Sequence, residues 1–157
     1  MGEKTGLLTP RLLSGAGYLA AEVEGAGAEH LLLFRNGEGP ITVPEWELQT
    51  NAEAAALTRR QSRITGFFAA GGTSLEAAGQ VLFDSPGAVD AGMVAFPGDA
   101  LISVTAPEPT VCRIASPRQP VAVKRLEGTM ADYGYDGLGR LLEIPLPAGE
   151  MNLSAVV

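Results

Sequence analysis

Glycine and proline, and the way they are distributed, narrow the fold more than any other feature. The chain of 157 residues carries 20 Gly and 11 Pro, scattered along its length instead of gathered into one linker. Glycine opens left-handed backbone and proline removes an amide donor, so both interrupt helices and mark tight turns. What remains between them is short: Tyr18 to Glu24, Glu29 to Arg35, Ile41 to Val43, Ile64 to Ala70, Gln80 to Phe83, Ala91 to Phe96, Ala100 to Thr105 and Thr110 to Ala115. Strands recurring roughly every 8–12 residues between turn signals predict an antiparallel β-sandwich or barrel.

The turns themselves are readable. Asn36-Gly37 closes one apolar run, and both residues tolerate positive φ. Gly71-Gly72, Asp84-Ser85-Pro86-Gly87, Pro97-Gly98-Asp99 and Ala106-Pro107-Glu108-Pro109 are expected to end strands. The C-terminal part adds Val121 to Leu126, Tyr133 to Asp136, Arg140 to Leu146 and Met151 to Val157. One segment is ambiguous. Thr50 and Glu53 have capping-box spacing and an alanine-rich stretch follows, yet three turns of helix with little apolar face are marginal alone. It is read as a strand. The expectation is an all-β antiparallel sandwich of roughly ten short strands over residues 18–157, behind a lead-in at residues 1–17.

Composition restricts the function. Eighteen acidic against eleven basic residues give a net charge of −7. Phosphate backbones are bound through Lys and Arg, so nucleic acid is not an expected partner, and an anionic membrane surface is repelled alike. No stretch approaches the ~20 apolar residues of a membrane span, and residues 1–6 do not read as a signal peptide. The compartment stays open. One Cys and one His are too few for a structural zinc site, and no phosphate loop or nucleophile elbow is present. No metal and no cofactor is expected. Cys112, within the run Pro109 to Ile114 that reads as a strand, is expected to be a small buried hydrophobe, and His30 a partly exposed residue at a strand start.

Two clusters remain as candidate ligand contacts. Glu45 and Glu47 flank Trp46; on a strand both carboxylates share one face about 7 Å apart. Paired acids beside an apolar ring suit a sugar, while acids on the solvent side with the indole turned inward give the same string. Asp132 and Asp136 bracket Tyr133 and Tyr135, which reads as a loop that contacts sugar or calcium, although two aspartates supply few of the six to eight oxygens calcium takes, or as a polar hairpin under packed tyrosines.

Two strings carry a resemblance. Leu48-Gln49-Thr50-Asn51-Ala52-Glu53-Ala54-Ala55-Ala56-Leu57-Thr58-Arg59-Arg60, continued by Phe67-Phe68-Ala69-Ala70-Gly71-Gly72-Thr73-Ser74-Leu75, resembles the C-terminal β-sandwich of heparinase II/III-like polysaccharide lyases. Val123 to Gly128 and Leu142 to Glu150, with its Leu146-Pro147-Ala148-Gly149-Glu150, is similar to the closing hairpin of glycosidase and lyase accessory domains. In that lyase family the catalytic Tyr, His and Asn or Arg lie mainly on an α/α toroid preceding the sandwich. The resemblance therefore transfers no catalytic residue to these positions. It implies a non-catalytic module of a carbohydrate-active enzyme, with a catalytic domain of a longer parent and a polysaccharide as partners. The alternative from the residues alone is a stand-alone structural or homo-oligomer-forming β protein without enzymatic activity.

Overall fold

A computed structural model describes residues 8–157; residues 1–7, where the N-terminal reading falls, lie outside it. The described chain is all-β and antiparallel, with fourteen strands instead of about ten. In order they are β1 (Arg11–Gly15), β2 (Tyr18–Gly25), β3 (Ala28–Arg35), β4 (Ile41–Val43), β5 (Leu48–Thr50), β6 (Ala54–Arg60) and β7 (Arg63–Ala77). There follow β8 (Gln80–Phe96), β9 (Asp99–Ala106), β10 (Thr110–Ala115), β11 (Ala122–Arg125), β12 (Gly134–Asp136), β13 (Leu141–Leu146) and β14 (Gly149–Val156). The ambiguous segment is strand, split into β5 and β6 around Asn51. Residues 11–15 of the expected lead-in form β1, which pairs with β2 from Arg11↔Glu22 to Gly15↔Tyr18.

Two expected turns do not end strands. Gly71-Gly72 lies inside β7 and Pro86-Gly87 inside β8, so one long hairpin runs through both. Each half of that hairpin pairs with different neighbours. The start of β7 pairs with β6 and the end of β8 with β9, giving a first ladder β1-β2-β3-β6-β7-β8-β9-β14-β11. The end of β7 pairs with β5 and the start of β8 with β10, giving a second ladder β4-β5-β7-β8-β10-β13-β12.

Local chemistry explains the crossing. Gly71 has φ +65°, and its amide donates to Asp90 Oδ1 at 2.8 Å. A Cβ on Gly72 would stand 2.8 Å from Ala52 Cβ and 2.9 Å from its Cα, so only glycine lets the two backbones approach. Asn51 stitches the corner: its Oδ1 accepts from the amides of Thr73 and Ser74, and its Nδ2 donates to Thr73 Oγ1. On the facing strand, proline lacks the amide a ladder needs, which suits a break between neighbours.

Alternation then sorts the side chains. The inner row of the first ladder reads Leu13, Ala20, Leu33, Ala55, Ala69, Ala91, Val104 and Met151, every one buried. That of the second reads Thr50, Leu75, Phe83, Ile114 and Leu142. The two inner faces share one hydrophobic cluster, and Phe67 of the first ladder stacks on Phe83 of the second with centroids 6.1 Å apart. Cys112 is part of this core, as its sequence context implied.

Candidate functional site

The residues singled out from sequence are placed differently from the strand geometry expected. Pro44–Trp46 forms a single 3-10 turn between β4 and β5, with proline at its start and Glu47 left-handed at φ 44°. Glu45 and Glu47 are therefore not alternate residues of one strand face; both are exposed, and the spacing that suggested paired acids does not arise. Trp46 points inward and is 1% exposed. Its indole Nε1 donates to Glu22 Oε2 at 3.0 Å, and the Arg59 guanidinium covers its ring at 4.2 Å. A ring so enclosed offers no stacking face to a sugar.

Glu22 also accepts from Arg11 at 2.9 Å. Burial pushes its carboxyl upward, but the hydrogen bonds from Arg11 and Trp46 outweigh that and hold it below the usual carboxylate range. This network ties the β4–β5 turn of one ladder to β1, β2 and β6 of the other. It is a structural clasp.

Tyr133 and Tyr135 are half-buried, and their hydroxyls donate to the carbonyls of Pro120 and Ser116, at 3.1 and 3.2 Å. They anchor the segment ahead of β11. Asp136 Oδ1 accepts from the Leu138 amide, closing its own turn, while Asp132 is exposed. Among the described residues, no group of three or more His, Cys, Asp or Glu is placed to hold a metal ion. His30 is half-buried on the outer side of β3, its Nδ1 3.1 Å from Thr58 Oγ1.

A cleft of about 840 Å³ opens between the ladders at one end, with Arg63, Gln80, Asp99 and Arg140 around apolar walls that include Met93 and Phe96. These four side chains come from separate segments and share no hydrogen bond with one another. It reads as the open mouth of the core.

The distinctive surface lies elsewhere, on the outer face of the first ladder. One cross-strand row reads Leu12, Ala21, Leu32, Ala56, Phe68 and Gly92, from β1 to β8. Beside it runs Ser14, Leu19, Phe34, Ala54 and Ala70, and on the other side Val23, His30, Thr58, Gly66, Val94 and Leu101. No Asp, Glu, Lys or Arg stands in these rows. Leu12 is 72% exposed, Phe34 57%, Val94 50% and Phe68 48%. Side chains of this size in adjoining positions form one patch, not scattered surface hydrophobes. The patch ends where β9, β14 and β11 turn Ser103, Asn152, Ser154 and Lys124 outward.

The outer face of the second ladder is the control. Its rows carry Thr42, Gln49 and Glu76, and then Ser74, Asp84, Arg113 and Glu143, with Arg113 Nε donating to Asp84 at 2.6 Å. Charged side chains thus stand among the outer rows of the second ladder, beside Val81, Val111 and Pro145, whereas the three rows named on the first ladder carry none. A signal for this face was present in the sequence. Leu12-Leu13, Leu31-Leu32-Leu33-Phe34 and Phe67-Phe68 are apolar at consecutive positions, which in a strand means apolar on both sides.

The family comparison adds no assignment: no family model matches the chain. No curated protein matches it either.

Proposed function

We propose that this chain is a non-catalytic β-sandwich module of a carbohydrate-active enzyme of the polysaccharide lyase kind, which packs against a catalytic domain and stabilises it. The observation that carries the reading is the uncharged outer face built on Leu12, Leu32, Phe34 and Phe68. Its three rows span roughly 24 Å by 14 Å between Cα positions, from strand spacing and rise. An apolar patch of that order, often functional on a protein surface, supports the reading that another protein surface covers it. The strings that resemble lyase modules supply β5, β6 and β7, and β6 and β7 contribute Ala54, Ala56 and Phe68 to the face.

Sugar chemistry in this reading belongs to the catalytic domain. Trp46 lies beneath Arg59, and Tyr133 and Tyr135 hold backbone carbonyls, so these aromatics serve the module's own packing. The test is the mass of the native polypeptide that carries this sequence in its source cell. A species well above 16.2 kDa, containing lyase activity that is lost on heating when Phe68→Ser and Leu32→Ser are introduced, is the expected result. A species near 16.2 kDa would remove the module reading and favour an oligomer-forming protein that covers the face with a second copy.

A further inference from the structure

We infer that the cleft between the ladders binds a long-chain carboxylate, its alkyl chain between the sheets and its anionic head at Arg63 and Arg140. This goes beyond the module reading and does not rest on it. Three observations point to that ligand.

The first is how the cleft is made. The β7–β8 hairpin bends at Gly71-Gly72 and Pro86-Gly87, and its free halves meet again here: Arg63 opens β7, Gln80 opens β8 and Phe96 closes it. On the first ladder the inner row Phe67, Met93, Ile102 and Leu153 fills the core with large side chains. The next inner row toward the open end reads Ala95, Ala100 and Ala155. Ala95 faces inward by alternation with Ala91 and Met93, yet it is exposed. The sandwich thus ends in a space of about 840 Å³ that its own side chains leave unfilled. Small-molecule sites occupy roughly 300–1,000 Å³. Packed sheets lie about 10 Å apart, so the space is one side chain deep and suits an extended alkyl chain.

The second is polarity. Met93 and Ile102 line the cleft from the first ladder and Leu82 and Leu142 from the second, all four buried. The ionisable side chains around it are Arg63, Arg140 and Asp99, two cations against one anion in a chain of net −7. The ion pairs of the described residues use Arg11, Arg59, Arg113 and Arg125. Both cleft arginines are left to meet an anion, and a guanidinium matches the two oxygens of a carboxylate.

The third is a preformed rim. Ser62 has φ 62°, Ala78 50° and Arg140 54°, so three of the six left-handed residues other than glycine line this one cleft. Such backbone is costly for a residue with a Cβ, and strained positions gather where ligands are clamped. Ser62 and Ala78 belong to two-residue reversals, which leave little slack. The Arg140 carbonyl accepts from the Ser116 amide at 2.8 Å, fixing the backbone from which its guanidinium extends.

Fluorescence titration with dansylundecanoic acid tests this in the polypeptide that carries the chain. Saturable enhancement is expected, displaced by laurate and far less by dodecanol or dodecylamine, which share its chain length. Arg63→Gln combined with Arg140→Gln should weaken binding at least about tenfold, the worth of one charge-assisted hydrogen bond. Ala155→Leu should abolish binding by filling the space. Ala95→Leu, at an exposed position, fills the same space if Ala155→Leu misfolds. Leu32→Ser, on the outer face, should leave binding unchanged. No saturable enhancement, displacement by dodecylamine as good as by laurate, or unaltered affinity in the arginine or the filling variants would each overturn the site. Loss of binding in Leu32→Ser would also overturn it, by placing the probe on the outer face. Native mass bears on the module reading alone, so either reading can fail without the other.

Discussion

The guanidinium carbon of Arg59 lies 4.2 Å above the ring centroid of Trp46, although the two residues sit on different ladders. Arg59 Nε also donates to Glu29 at 2.7 Å, which holds the cation over the indole from the next strand. The contact caps a fully buried ring and closes one end of the core. Removing the indole with Trp46→Ala should destabilise the domain by about 3–5 kcal/mol, through lost burial and a cavity. Arg59→Ala should lower stability by a smaller amount, about 0.5–2 kcal/mol. Urea titrations of both variants check the ranking; an Arg59→Ala loss as large as that of Trp46→Ala would contradict it.

Glu22 gives this clasp a pH dependence. Its carboxyl is held below its ordinary 4.5 in the folded state, despite burial, by the hydrogen bonds of Arg11 and Trp46. A group depressed on folding contributes stability that is present above the unfolded value and is lost as pH falls through the folded one. Melting temperature should therefore drop as pH falls below the ordinary carboxylate value of 4.5. In Glu22→Gln the native-state advantage at neutral pH is already gone, so its curve below that value should be flatter. Parallel curves would exclude Glu22 as a contributor.

The crossing of β7 from one ladder to the other depends on Gly72. A methyl group there meets Ala52 Cβ and Cα inside 3.0 Å, and the second of these is backbone that cannot rotate aside. Gly72→Ala should cost about 1–3 kcal/mol by overpacking. Gly79→Ala is a fitting comparison: its φ is +69° but no atom lies within 4 Å of the added carbon, so only the backbone strain applies. That strain is about 1–2 kcal/mol. Thermal melts separate the two if the Gly72 variant also loses the near-ultraviolet signal of the stacked Phe67–Phe83 pair.

Cys112 should be inert in the folded protein. Burial, aided by the nearby Asp84 carboxylate, pushes its thiol up to about 12. The thiolate is the reactive form, so at pH 8 an aryl disulfide reagent should titrate no thiol until denaturant is added. Rapid labelling of the native protein at this position would mean that β10 opens locally.

Substitution of the outer face should separate folding from docking. Leu32 and Phe68 are about half exposed on the outer side of the first ladder. Leu32→Ser and Phe68→Ser should change the stability of the isolated chain by less than about 1 kcal/mol. The same changes should reduce binding of an apolar dye such as ANS. A collapse of stability in the isolated chain would show that these side chains serve its own core.

Much of the fold was legible because it is written in local chemistry. β9 shows this best: Asp99 to Ala106 alternates exposed and buried at every residue, matching the polar–apolar order of its sequence everywhere but at Leu101. The turn signal at Pro97-Gly98-Asp99 marks a real reversal, with Gly98 at φ 87°. The same kind of signal failed at Gly71-Gly72 and Pro86-Gly87. A glycine pair reports that backbone freedom or close approach is needed, and that need is met equally by a turn or by a strand changing neighbours. Glu45-Trp46-Glu47 failed for a related reason. Pro44 fixes φ for a turn start as readily as it ends an edge strand, and the indole's inward partners, Glu22 and Arg59, lie 24 and 13 positions away in the chain.

The sequence by itself determined that this protein is all-β, where most strands begin and end, and that Cys112 belongs inside. These follow from side-chain alternation and backbone freedom, which act over a few residues. Only the tertiary structure decided which strands share a ladder, and hence which apolar side chains find a partner. Leu33 and Phe34 are neighbours in sequence with similar hydrophobicity, yet one is 1% exposed and the other 57%. The difference is set by the second ladder lying on one side of β3 and not the other. That is a consequence of long-range pairing through the β7–β8 hairpin, which no local pattern encodes.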